Sequence, residues 1–233
     1  MLHLRKTLNV IAMSDIKNNL DKILSELPSN VQLVAISKTK TPEEILSLYN
    51  AGQRVFGESK AQELAPKYEK LPKDIKWHMV GHLQRNKVKY LAPFVEMIQS
   101  VDSLRLLNEI NKQALKNKRV VKCLLQIHIA EEESKFGLSE EEVCQLLESD
   151  DFRQMENVSI CGLMGMATFT DDEDQVRKEF KVLKKLHDEL KAKYFKDNDN
   201  FSEVSMGMTS DYKIAAEEGS TMVRIGTALF GER

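Results

Sequence analysis

The chain has 233 residues, 42% hydrophobic and 30% charged, which is the ordinary balance of a globular protein. Its 34 basic and 36 acidic side chains leave a net charge of −2, which excludes a generally basic nucleic-acid binder and argues against attraction to an anionic membrane surface. A chain of this length buries about 72% of its extended surface on folding, so a large core needs neither disulfides nor a structural metal.

The three cysteines, Cys123, Cys144 and Cys161, are odd in number and widely spaced. They form no CxxC pair or Cys/His cluster of zinc spacing and read as reduced thiols. No apolar run approaches the ~20 residues that span a bilayer. The first residues carry a short apolar patch without the h-region and cleavage site of a signal peptide. The expected location is cytoplasmic, with no nucleic-acid or membrane partner. Met13 directly precedes Ser14-Asp15, a helix-start signature, so residues 1–13 are expected to form an extension outside the fold.

A first helix is predicted from Ser14, with Ile16, Leu20, Ile23, Leu24 and Leu27 on one face. Residues 31–38, VQLVAISK, form a β-branched run typical of a buried strand. Thr41-Pro42-Glu43-Glu44 supplies an N-cap, a proline at N1 and a carboxylate at N3, opening a helix through Ile45, Leu48 and Tyr49 that stops at Gly52. Further strands are predicted at 55–59, 76–84, 97–103, 122–130, 159–168, 203–208 and 222–231. Helices are predicted at 60–70, 86–93, 104–117, 139–149, 172–195 and 211–218. Ser139 and Glu142 make a second capping box, and Val176, Phe180, Leu183, Leu186 and Leu190 keep a helical apolar stripe. About eight strands, each but the last followed by a helix, predict an α/β fold, a single-domain (β/α)8 TIM barrel over residues 14–233. A doubly wound open sheet is the rival, because counting strands does not establish closure.

In such barrels the active face is built from the C-terminal ends of the strands. At the seventh end, Ser205, Gly207, Thr209 and Ser210 precede a short helix starting near Asp211; after the eighth comes Gly226-Thr227. Glycines let the backbone approach an anion, and hydroxyls and helix-start amides donate to it. Either segment alone is as readily a glycine-rich turn, but two in these places point to a phosphate. Lys38 closes the first strand, where a lysine with apolar neighbours can supply the neutral amine that a Schiff base with an aldehyde requires. Its plain alternative is the first solvated residue past a strand. A phosphate site facing a desolvated lysine suggests pyridoxal 5′-phosphate, which carries both groups.

Arg224 sits two residues before Gly226. Facing a pyridine nitrogen, it would leave that nitrogen unprotonated and the cofactor a weak electron sink; the alternative is an ion pair with Glu203 or Glu58. His78 and His82 share strand parity, and only His82 lies at the C-terminal end, where a hydrogen-bonding role in a barrel layer competes with that of a base. The methionines of the two MGM triplets read as soft core filler. The runs Glu131-Glu132-Glu133 and 171–174 read as solvated charges.

The segments AISKTKTPEEI, RVFGESKAQE, KWHMVGHLQRNK, LMGMAT, SMGMTSD and MVRIGTALFG together resemble the pyridoxal phosphate homeostasis proteins, nearly end to end from about Ser14. The resemblance implies a fold type III barrel similar to the N-terminal domain of alanine racemase, with pyridoxal 5′-phosphate held as an internal aldimine on Lys38. Ser205, Gly226 and Thr227 would then hold the phosphate and Arg224 would face the pyridine nitrogen, with Met206, Ser59 and His82 completing the cofactor-binding set. Many members carry asparagine after Phe-Gly-Glu; here Ser59 keeps a donor and an acceptor but reaches less far.

A fold type III racemase needs a second acid/base on the opposite cofactor face, usually from an added β-domain. The chain ends at Arg233, just beyond the eighth strand, so no such domain is expected. The first expectation is therefore a monomeric, non-catalytic carrier that stores the cofactor, delivers it to apo enzymes and limits free aldehyde. An amino-acid racemase using Lys38 alone or with His82 is the second reading. A barrel phosphosugar isomerase is the third.

Overall fold

The computed structural model describes residues 15–131 and 136–231. The expected extension at 1–13, the helix-start Ser14, and Glu132 and Glu133 of the acidic run lie outside the described residues. Helix α1 (15–26) buries Leu20 and Ile23, with Ile16 and Leu27 packed on the same core. Leu24, expected on that face, is 47% exposed. The helical period carries it past the edge of a stripe centred between Leu20, Ile23 and Leu27.

Eight parallel strands follow: β1 (Gln32–Ile36), β2 (Val55–Glu58), β3 (Lys76–Met79), β4 (Met97–Val101), β5 (Val121–Ile127), β6 (Val158–Gly165), β7 (Glu203–Ser205) and β8 (Met222–Ile225). They pair in chain order, and β1 closes on β8 with Val34 beside Arg224. That closure excludes the open doubly wound sheet. Between and after the strands lie α2 (Pro42–Asn50), α3 (Ala61–Lys70), α4 (Val88–Leu91), α5 (Leu104–Lys116), α6 (Glu140–Glu148), α7 (Asp150–Arg153), α8 (Glu173–Tyr194), α9 (Tyr212–Glu217) and α10 (Thr227–Phe230), with a 3₁₀ turn at Arg85–Lys87 ahead of α4. Both expected capping boxes are formed, Thr41 with Glu44 on α2 and Ser139 with Glu142 on α6. The α8 stripe is buried throughout.

Strand parity divides the core in two. Outward residues such as Phe56, Trp77, Val223 and Ile225 pack under the helices. Inward residues Val34, Val55, Met97, Leu124, Cys161, Met164 and Met222 fill the barrel's lower interior. Gly57 leaves room for the β1 side chains: a Cβ at 57 would stand 2.6 Å from Ile36 Cδ1 and 3.0 Å from Val34 Cγ1, and both would have to shift. Above this apolar layer the interior turns polar, with His78, Gln99, Ser205 and Arg224 all buried.

The predicted strands overreach at their C-terminal ends. The third stops at Met79 rather than 84, the seventh at Ser205 rather than 208, and the eighth at Ile225 rather than 231. Of the apolar residues beyond, Val80 and Met208 line a cavity while Leu83, Met206 and Leu229 pack in the outer core, so none of them continues a ladder. After β8 the chain turns into α10, so the last strand too is followed by helix, contrary to expectation. Among the described residues no helix is long and apolar enough to cross a membrane, and no group of His, Cys, Asp and Glu could hold a metal. All three cysteines are free.

Candidate functional site

A cavity of about 520 Å³ opens at the C-terminal ends of the strands. It is bordered by Lys38 after β1, Ser59 after β2, Gly81 and His82 after β3, Gln126 on β5, Met166 after β6, Thr209 and Ser210 after β7, and Arg224, Gly226 and Thr227 on and after β8. Eight of the residues named from the sequence therefore meet in one place: Lys38, Ser59, His82, Thr209, Ser210, Arg224, Gly226 and Thr227, whereas Gly207 does not border the cavity. Phe136 and Phe169, the latter 83% exposed, form its aromatic rim.

Two more expected residues are not there. Ser205 is fully buried within the barrel, where its hydroxyl accepts from Arg224 Nη1 at 2.6 Å and donates to Gln99 Oε1 at 2.7 Å. Met206 is fully buried in the outer core. Both belong to the end of β7, one step too early; the chain reaches the cavity only at Met208–Ser210. There Asp211 closes the loop, its Oδ1 accepting from the amide of Met208. The hydroxyls and amides of Thr209, Ser210 and Thr227 donate to no acceptor among the described residues. They form a set of unengaged donors suited to an anion.

Lys38 is exposed rather than desolvated as expected, and its amine forms no hydrogen bond or ion pair among the described residues. Lys40 turns away, pairing with Glu44 at 3.3 Å and lying over the Phe230 ring. Closure of β1 on β8 sets Lys38 and Gly226-Thr227 on neighbouring strand ends.

Arg224 pairs with neither Glu203 nor Glu58. It donates to Ser205 Oγ and to the Gly165 carbonyl at 2.9 Å. Burial pushes its guanidinium down to about 10, partly offset by Asp211, so it stays charged at neutral pH. Its support continues inward, as Gln99 Nε2 donates to His78 Nδ1 at 2.8 Å. Burial lowers His78 to about 4, so it is neutral and serves as the terminal acceptor. His82, by contrast, is exposed at the rim, its Nδ1 2.9 Å from Asp102 Oδ2 and its ring stacked on Phe136 with centroids 4.2 Å apart. Gln126, which donates to the Phe136 carbonyl at 2.7 Å, was not anticipated; its signal was a polar residue of inward parity in the apolar run of β5.

The fold and this arrangement define a class, the barrel that forms the N-terminal domain of alanine racemase: that family's model matches residues 11–233. The alanine racemase of Bartonella henselae superposes with a TM-score of 0.70 over 95% of this chain and 61% of its own, at 14% identity, a likeness of fold alone. The pyridoxal phosphate homeostasis protein of Aquifex aeolicus is 42% identical over 203 residues, 87% of each chain. PipY of Synechococcus elongatus superposes with a TM-score of 0.87 without PLP and 0.84 with PLP bound, at 33% identity over 93% of this chain and 100% of its own. The chain belongs to the pyridoxal phosphate homeostasis protein family.

Proposed function

We propose that the chain binds pyridoxal 5′-phosphate in this cavity, attached through Lys38, and acts in the cytoplasm as a monomeric carrier. In this role it stores the cofactor, hands it to apo enzymes and keeps free aldehyde low. The barrel that does so is taken to run from residue 14 to 233. The carrying observation is a lysine amine unpaired among the described residues, beside a set of donors that no described residue engages on the neighbouring strand end. In pyridoxal 5′-phosphate the aldehyde and the phosphate arm stand on adjacent ring carbons, so one molecule meets both groups. When bound, the cofactor would supply an aldehyde with which Lys38 Nζ can condense, water being released. Thr209, Ser210, Gly226 and Thr227 would hold the phosphate.

Facing the pyridine nitrogen, the Arg224 guanidinium, which remains charged, would leave that nitrogen without a proton and the ring a weak electron sink, which is compatible with the carrier role. The relative's name, homeostasis protein, and the PLP-bound PipY structure agree with that role. The cytoplasmic assignment is supported by three free cysteines. One observation favours the racemase reading: His82, oriented by Asp102, borders the cavity as a base would.

The deciding measurement is the visible spectrum of the purified protein and of Lys38→Ala, with mass spectrometry after borohydride. A chromophore and a reduced adduct on Lys38, both lost in the variant, support the reading; a colourless protein with unmodified Lys38 after incubation with the cofactor overturns it. Turnover of an amino-acid panel that disappears in Lys38→Ala and in His82→Ala would establish the racemase instead.

A further inference from the structure

Lys38 faces the cavity, and the residues on either side of it are held from the other face of the sheet. Ser37 is fully buried; its hydroxyl donates to Glu58 Oε1 at 2.6 Å, and its carbonyl accepts from Lys67 Nζ of α3 at 2.8 Å. Lys67 also pairs with Glu58 Oε1 at 2.7 Å. On the other side, Thr39 has φ +66°, a left-handed conformation that is strained for a β-branched residue. Its amide donates to Glu63 Oε2 of α3 at 3.0 Å, and Glu63 lies 3.9 Å from Lys67.

A buried ion pair contributes little stability over an apolar replacement, and this one is incompletely satisfied: Glu58 Oε2 is buried with no hydrogen-bond partner among the described residues. Burial outweighs Lys67 and Ser37 and holds the Glu58 carboxyl above the usual range. What the group does provide is three directional contacts onto residues 37–39. The strained turn persists because its surroundings over-determine it.

We propose that Glu58, Lys67 and Glu63 are positioning residues, a clamp that fixes the backbone on both sides of Lys38 and so sets the direction in which its amine enters the cavity. None of the three borders the cavity. The proposal rests on Lys38 being the attachment residue, and it goes further by naming what orients it.

Two independent alterations test it. Glu63→Leu removes the acceptor for Thr39, while Glu63→Gln keeps one. Glu58→Gln combined with Lys67→Met replaces the ion pair without leaving a lone buried charge. Two readouts are compared with thermal unfolding: the rate of reductive methylation of Lys38 with formaldehyde and cyanoborohydride in cofactor-free protein, resolved by peptide mass spectrometry, and the dissociation rate of bound pyridoxal 5′-phosphate into an excess of an aldehyde scavenger. Glu63→Leu and the double variant are expected to change Lys38 methylation at least threefold and to speed cofactor loss about tenfold, with Glu63→Gln restored to within twofold of wild type. Unchanged rates in both altered proteins would overturn the clamp, as would rates that merely track the loss of thermal stability. If the unaltered protein takes up no cofactor on Lys38, the functional reading fails separately, and the methylation rates still decide the clamp.

Discussion

At the scale of single residues the anion donors make the sharpest claim. Thr209, Ser210 and Thr227 offer hydroxyls that nothing else among the described residues uses. A hydrogen bond to a charged group contributes about 1.5–3 kcal/mol. Thr209→Val, Ser210→Ala or Thr227→Val is therefore expected to weaken binding of pyridoxal 5′-phosphate about 10- to 100-fold, while unphosphorylated pyridoxal binds almost as before. Absorbance titration with both ligands measures the ratio. Ser205→Ala is the contrasting case. Its hydroxyl serves Arg224 and Gln99 from inside the barrel, so the preference for the phosphorylated ligand should stay within twofold of wild type. A selectivity collapse in Ser205→Ala, with none in the other three, would return Ser205 to the phosphate. The sequence could not separate these hydroxyls. Ser205 and Ser210 share one short motif, and only the end of the β7 ladder decides which of them faces the cavity.

Among elements, the legible features were those governed by contacts near in sequence. The capping boxes on α2 and α6 formed as read, because Thr41 and Glu44, or Ser139 and Glu142, settle them within one turn. Thr41→Ala should cost about 1 kcal/mol of unfolding free energy, read from the midpoint of a urea transition with unchanged slope. A loss under a few tenths would mean that Pro42 and tertiary packing hold α2 without its cap. The shared parity of His78 and His82 was also legible, since side chains alternate along a strand. The strand ends were not. Apolar residues past Met79 and Ser205 serve the cavity wall, as Val80 and Met208 do, or the outer core, as Leu83 and Met206 do, and a hydrophobic pattern cannot distinguish those duties from pairing in a sheet. The partners of Arg224 were equally hidden, because Ser205 and the Gly165 carbonyl lie on other strands, 19 and 59 residues away, and meet it only once the barrel closes.

For the whole molecule, that closure creates a polar chain running one way: Arg224 donates to Ser205, Ser205 to Gln99, and Gln99 to His78. It ends on an imidazole nitrogen that must remain an acceptor. Burial holds His78 near 4, against about 6.5 in an unfolded chain; Glu96 pulls it up while Lys122 and Lys76 push it down. Between these values the unfolded state binds more protons, so stability rises with pH there. As pH falls from 6.5 to 4 this one group removes about 3 kcal/mol from the folded state, at 1.36 kcal/mol per unit. Glu58, whose carboxyl is raised by burial, acts in the opposite sense in the carboxylate range, so the raw pH profile mixes both. His78→Gln separates them, because a glutamine oxygen can still accept from Gln99 but has no proton to gain. Urea unfolding at intervals between pH 7 and pH 4 should show the wild type losing about 3 kcal/mol more than His78→Gln over that range. Parallel profiles would mean that His78 is protonated in the folded barrel and that the chain from Arg224 ends elsewhere.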